Sequence, residues 1–330
     1  MGTLRIHFTG DDLARTTVAA AADPLWEVVF SRFRLRERVR RPAFRPWIDE
    51  LRANPARTVQ MRDGVALLEV LAPLAPYWPD FLTPVESRRG LETGLDTVMS
   101  TPPARIRAEL RRLSQHRRLP GWISGIAAGQ IDEMTRIGDC MRSYYAAAIE
   151  PCQHLVHAAV AADRAQRARD LLEGGVEGLL AGFGALMRWD APVLEVSFDF
   201  DAELHLEGRG LKLVPSYFNQ RNPVTFGDPG LQPVLLYPIE NRFRWSHSGV
   251  SGKGLEDLLG RTRAAVLLAL VVSTTTTELA RALHISPAAV SRHTGVLREA
   301  GLIATRRDGT AVLHTVSPLG TALIEGHAIA

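Results

Sequence analysis

Cysteine is scarce in this 330-residue chain: Cys140 and Cys152 are the only two. That is too few for a disulfide framework. Long apolar runs are missing as well. The longest, AAVLLALVV from Ala264 to Val272, falls well short of the ~20 residues that a bilayer span needs, so no membrane helix is expected. No charged-then-apolar leader follows Met1, and the expected compartment is a reducing cytoplasm. Lysine is nearly absent, with Lys212 and Lys253 alone among 39 basic residues. The arginine and alanine richness reads as GC-rich coding and carries no functional weight. Catalytic signatures are lacking too: there is no G-x-S-x-G, no H-E-x-x-H and no P-loop, and an enzyme is not expected. The glycines of EGGVEGLLAGFGAL (Glu173 to Leu186) follow no strand and have the wrong spacing for a dinucleotide loop, so close helix packing is their expected use.

What is present suits two domains, since a chain of this length with 46% apolar residues can bury a sizeable core. LRIHFT (Leu4 to Thr9) alternates like a half-buried strand. Asp11 and Asp12 are cap residues for a helical stretch after it, broken at Pro24. From Leu91 to about Leu186 the pattern is helical. After Pro192 it changes to the short alternations VLEVSF, AELHLEG, LKLVPSYF and PVLLYPI, which read as strands and hairpins, with Gly208-Arg209-Gly210 as a turn between two of them. If Leu4 to Thr9 joins that sheet, residues 1–245 form one α+β domain, mostly helical with a small β-sheet. SHSGVSGKG (Ser246 to Gly254) is the expected linker, and 255–330 the second domain.

The second domain is the informative one. Leu258, Leu259, Ala265, Val266, Leu268 and Ala269 recur at helical spacing and predict one helix of about 16 residues. TTTTELARALHI predicts a short helix capped within Thr274 to Thr277. His284-Ile285-Ser286 is a tight connection, with Ser286 as N-cap and Pro287 in the first turn of a third helix. That helix, PAAVSRHTGVLREAG, places Val290, Val296 or Leu297, and Ala300 toward the core and ends at Gly301. LIATRRDGTAVLHTVS alternates on both sides of Asp308-Gly309, a hairpin signal. Helix, short helix, turn, helix and hairpin make a winged helix-turn-helix.

Such a unit reads double-stranded DNA when the third helix exposes small or hydrogen-bonding side chains to the ~12 Å major groove. Ala288, Ser291, Arg292 and His293 are the candidates. Arg306 and Arg307 flank the wing tip, within reach of phosphate or minor groove, and Ser286 with the helix N-terminus can meet a backbone phosphate. Residues 255–330 hold seven arginines against six acidic residues, so placement rather than bulk charge must carry the contact, within a chain of net charge +3.

The segment TTTTELARALHISPAAVSRHTGVLREAGLIATRRDGTAVLHTVSPLG resembles the DNA-binding domain of ArsR-type bacterial regulators, most closely in VSRHTGVLREAGLI and RRDGTAVLHTVSPLG. Thr294 departs from the leucine more usual there, and a buried threonine hydroxyl has to bond back to the preceding turn. More broadly, LRIHFTGDDLART, YWPDFLTP, LLEGGVEGLL, GRGLKLVPSYF, PVLLYPI and LLGRTRAAVLLAL resemble actinobacterial ArsR-type proteins with a large N-terminal domain. The resemblance implies a homodimeric transcriptional repressor on an inverted-repeat operator. The helix Leu255 to Val272 and the segment from Pro318 are candidate interface elements.

Soft-metal members of that family use a Cys-x-Cys pair, yet residues 255–330 contain no cysteine, and only Glu325 and His327 offer hard ligands near the C-terminus. Cys152, His154 and His157 cannot converge on one ion from a regular helix, because Cys152 lies ~140–160° from both histidines. Neither a metal nor another cofactor is therefore assigned. Trp26, Phe30, Trp47, Tyr77, Trp78, Phe81, Trp122, Tyr144, Tyr145 and Phe183 either line a small-molecule effector pocket in the first domain or form its core. The competing reading of the whole is a protein-interaction adaptor whose winged helix binds another protein.

Overall fold

The computed structural model describes residues 2–36, 44–74, 77–220, 222–239, 252–270, 274–283, 285–308 and 311–325. The chain divides into two compact units, Met1–Arg242 and Phe243–Ala330. Most of the expected linker lies outside the described residues. Its last three residues are already helical, because a helix begins at Gly252.

Unit 1 opens with β1 (Gly2–His7), α1 (Gly10–Arg15), β2 (Thr17–Val18) and α2 (Pro24–Arg36). The cap of α1 is Thr9 rather than the aspartates: its hydroxyl accepts from the Asp12 amide while the Asp12 carboxylate accepts from the Thr9 amide. Helix does not continue from there to Pro24, because Thr17 and Val18 are drawn into a strand beside Lys212 and Leu213. Asp23 restarts it, accepting from the amides of Leu25 and Trp26. The helical layer follows as α3 (Arg45–Ala53), α4 (Pro55–Gln60), α5 (Arg62–Leu71), α6 (Leu91–Met99), α7 (Pro103–Ser114), α8 (Ile123–Ala127), α9 (Ile131–Ala148) and α10 (Gln153–Ala181).

The core gathers on α2, which is buried continuously from Leu25 to Arg34, and on α9, which packs against α2, α5 and α6. Burying charge on α2 requires partners. Glu27 accepts from the amides of Tyr217 and Phe218, and Arg32 donates to the Ala72 carbonyl while lying over the Phe33 ring. In α10, Gly174 and Gly175 leave helical geometry, with Gly175 at φ +62°. The chain turns there, and Gly178 and Gly182 let the second piece approach Asp170, where a Cβ would meet atoms at 2.8 and 2.4 Å. The glycine run thus breaks a helix as well as packing it.

Among the described residues, the strands of unit 1 form two sheets. β3 (Met187–Asp190), β4 (Val193–Phe198), β1 and β5 (Ala202–His205) make the first in the order β3-β4-β1-β5, so the N-terminal strand does join the later ones. β1 is antiparallel to β4 and parallel to β5. The second sheet, β2-β6-β7, pairs β2 with β6 (Lys212–Ser216) and β7 (Val234–Pro238) in parallel. The turn at Gly208 to Gly210 therefore leads from one sheet to the other instead of closing a hairpin. All five residues of β7 are buried, the pattern of a parallel strand covered on both faces. Architecture is α+β in this unit.

Unit 2 contains α11 (Gly252–Leu259), α12 (Arg261–Ala269), β8 (Thr274–Thr275), α13 (Thr276–Ala282), α14 (Pro287–Glu299), β9 (Ile303–Asp308), β10 (Ala311–Val316) and α15 (Pro318–Glu325). The single first helix expected from the apolar spacing is two, separated by Gly260 at φ +81°. Val266, Leu267, Leu270, Leu279, Val290, Leu297, Leu302 and Ile303 form the core.

Candidate nucleic-acid interface

The site is built from two helices and a hairpin held by short-range chemistry. Thr275 caps α13 in a reciprocal pair with Glu278, whose carboxylate accepts from the Thr275 amide and hydroxyl and is held below the usual carboxylate range by those bonds. The Ile285 amide donates to the Ala280 carbonyl across the turn between helices. Ser286 caps α14 by accepting from the Ala289 amide at 3.2 Å, and Pro287 occupies the first turn, where its missing N–H costs nothing. Gly301, at φ +71°, ends the helix and donates to the Arg298 carbonyl.

Val290, Thr294 and Leu297 form the buried face of α14. Of the pair Val296 or Leu297 it is Leu297 that is buried, while Val296 is 41% exposed; Ala300, expected in the core, is exposed, and Thr294 is buried in its stead. Thr294 takes part because its hydroxyl donates back within the helix, to the carbonyls of Val290 at 3.0 Å and Ser291 at 3.2 Å. The opposite side exposes Ala288, Ser291 and Arg292 within about 100° of arc. Gly295 shares that arc, and nothing lies within 4 Å of where its Cβ would be. It is a fourth, featureless position of this face, marked not by its residue type but by its spacing from Ser291 and Arg292. His293 stands to the side and is half-buried. Its imidazole is held below the ordinary histidine range by burial and by the charges of Arg292 and Arg263.

The hairpin pairs Asp308 with Ala311, Arg307 with Val312 and Arg306 with Leu313. Asp308 is thus a strand residue; Gly309, expected as the second turn residue, lies outside the described residues, as do the side chains of Arg307 and Asp308. Arg306 is exposed. β8 adds a third strand on the other side of β10 through Leu313 and His314. His314, not singled out by residue type, is buried, with Nε2 3.0 Å from the Thr276 hydroxyl and Nδ1 3.0 Å from the Thr305 hydroxyl.

A capped helix presenting a small, hydrogen-bonding, cationic face next to a three-stranded wing has the shape and chemistry of a major-groove reader. Residues 262–305 match the family model described as bacterial regulatory protein, arsR family. Unit 2 carries an ArsR-family domain. This family is one of DNA-binding regulators rather than enzymes, and the domain supports a DNA-binding transcription regulator. The match covers α12 to the first part of β9 and none of unit 1. No curated protein and no solved structure matches the chain. Among the described residues no helix is long and apolar enough to cross a membrane.

Cys152 is set apart from His154 and His157. Cys152 is buried with its thiol against the carbonyls of Ala148 and Ile149, while His154 and His157 are exposed on α10. Among the aromatic residues expected as either pocket or core, Phe30, Trp47, Phe81, Tyr144 and Phe183 are core, and Trp26 and Tyr77 are buried as well. Trp26, Tyr77 and Trp78 line a cleft of about 260 Å³ in unit 1, with Phe226, Asp80 and Arg112. Asp80 accepts from the amides of Gly227 and Asp228, and burial pushes its carboxyl up to about 6. Arg112 lies over the Tyr77 ring at 4.2 Å and donates to the Gly227 carbonyl.

Proposed function

We propose that the chain is a homodimeric repressor that reads an inverted-repeat operator through α14 and is released when a small molecule binds the N-terminal domain, residues 1–245. The observation that carries the DNA-reading part is the face of α14 formed by exposed Ala288, Ser291 and Arg292 with half-buried Gly295, set opposite Val290, Thr294 and Leu297. Arg292 is the residue suited to a bidentate contact with guanine, and Ser291 to either partner of a base pair. Arg306 and Arg307 on the wing suit phosphate or minor-groove contact, and Ser286 a phosphate at the start of the helix.

Two features support the finer parts of this reading. Leu258 on α11, Leu268 on α12 and Leu319 on α15 are 65, 43 and 41% exposed, apolar surface on the elements expected to join two copies. The cleft of Trp26, Tyr77, Trp78 and Phe226 has aromatic walls with one guanidinium and one buried carboxyl, a lining that favours a planar ligand carrying a polar edge. Release then requires that the ligand favour a state of the protein that binds DNA less well.

Selection of duplexes from a random-sequence pool by the full-length protein tests the proposal. Two half-sites about one helical turn apart are expected, and light scattering should give a dimer at micromolar concentration. A strict monomer, or a pool that never converges on a sequence, contradicts it; the second result would favour protein binding by the winged helix.

A further inference from the structure

Unit 1 holds a second cluster, which shares Glu203 with the lining of the aromatic cleft but whose two histidines lie outside that lining. β1 and β5 run parallel, and their register sets His7 beside His205 and Arg5 beside Glu203. Alternate residues of a strand share a face, so all four lie on the side of the sheet opposite the buried Leu4 and Ile6. The two imidazoles stack with centroids 4.3 Å apart and planes 12° from parallel. His7 Nε2 meets Glu203 Oε2, and one ligand atom from each of His7, Glu203 and His205 lies within 4.8 Å of the others. The other carboxylate oxygen, Oε1, faces Arg5 at 3.6 Å, and Arg5 is itself 3.6 Å from Glu195.

We propose that His7, Glu203 and His205 form a binding site for a divalent ion of the zinc class. Two imidazole nitrogens and one carboxylate oxygen are the donors that a borderline ion takes. Soft ions want thiolate, and calcium wants six or more oxygens. Three protein ligands leave a position for water or an anion. The strands fix the backbones, while exposure of the side chains leaves them free to turn inward to bond lengths of ~2.0–2.2 Å. Arg5, by engaging Oε1, leaves Oε2 directed at the imidazoles, the kind of outer support that orients a ligating carboxylate. The proposal is independent of the DNA-binding reading, because nothing in it involves residues 243–330.

The untagged full-length protein, stripped with a chelator, is titrated with zinc chloride by calorimetry, and retained metal is counted after gel filtration. One zinc per chain is expected. His7→Ala, His205→Ala and Glu203→Gln should each weaken binding by about 100-fold or more, beyond the 10–100-fold that loss of a supporting group costs. The double variant His154→Ala, His157→Ala on α10 should bind as the parent does. These side chains are exposed or, for His7, half-buried on the open face of the sheet, so the far-ultraviolet circular dichroism of every variant should match the parent. Absence of stoichiometric zinc in the parent overturns the proposal. So does binding that survives His7→Ala with His205→Ala, or that disappears with the α10 histidines.

Discussion

His314 Nε2 lies 3.0 Å from the hydroxyl of Thr276, joining the second wing strand to the first residue of the helix that precedes the recognition helix. The same ring reaches Thr305 on β9 through Nδ1. One buried side chain therefore couples wing and helix-turn-helix. His314→Ala removes both hydrogen bonds and leaves a void, and should destabilise the ArsR-family domain by about 2–4 kcal/mol in urea unfolding. DNA affinity should fall with it, because Arg306 and α14 lose their common support.

The same residue gives the domain a pH dependence of definite sign. Burial and the charge of Arg298 hold the His314 imidazole below its ordinary value of 6.5, so below that pH the unfolded chain binds more protons than the folded one. Stability is full above about 6.5 and declines as pH falls from there. Urea midpoints of this transition should drop between about pH 7.5 and 5.5 in the parent and change much less in His314→Gln.

Unit 1 should respond in the opposite direction. Glu27 accepts two amide hydrogen bonds at 2.8 Å, yet complete burial outweighs them and pushes its carboxyl up from 4.5 to about 7. Asp23, bonded to Ser87, is pushed up to about 6 for the same reason. Between these values and the unfolded ones the folded state binds more protons, so stability is full below the unfolded values and is lost as pH rises toward about 7. Hydrogen exchange of α2 amides should accelerate over that range beyond its intrinsic pH dependence. Glu27→Gln should flatten the effect and cost about 1–3 kcal/mol, since its amide group sets an N–H against one of the two backbone donors.

Unit 2 was largely legible because its signals are local. Thr275 and Ser286 as caps, Pro287 in a first turn, Gly301 as a stop and alternation on both sides of the wing tip each act within a few residues. What escaped depends on contacts between distant segments or on one backbone angle. Gly260 breaks the first helix through a positive φ that apolar spacing does not reveal. Thr294 enters the core because its hydroxyl bonds within its own helix, and the buried face lies toward Thr294 and away from Ala300. In unit 1 the parallel β2-β6-β7 sheet joins Thr17 to Lys212. His7 and His205 come together only through a strand register, and each alone reads as an ordinary polar position on an alternating strand.

Ser286 separates folding from recognition. Ser286→Ala should cost about 1 kcal/mol of domain stability through loss of the cap. Ser286→Asp keeps a capping oxygen and should leave stability within about 0.5 kcal/mol of the parent, yet it sets a negative charge where a DNA phosphate approaches. Its DNA affinity should drop about tenfold at low salt, measured by anisotropy beside thermal unfolding of the same preparation. Loss of stability without loss of affinity would place the phosphate contact elsewhere.

The central claim, that the exposed face of α14 reads sequence, is tested most directly by titrating labelled duplexes, selected and scrambled, with the parent and with Arg292→Ala and Arg307→Ala across a range of salt. The parent should prefer the selected duplex and lose affinity steeply as salt rises. Arg292→Ala should erode the preference by about 1–3 kcal/mol, while Arg307→Ala should weaken both duplexes alike and lower the salt slope by about one. A parent that binds both duplexes equally, or an Arg292→Ala variant with its preference intact, would contradict the account.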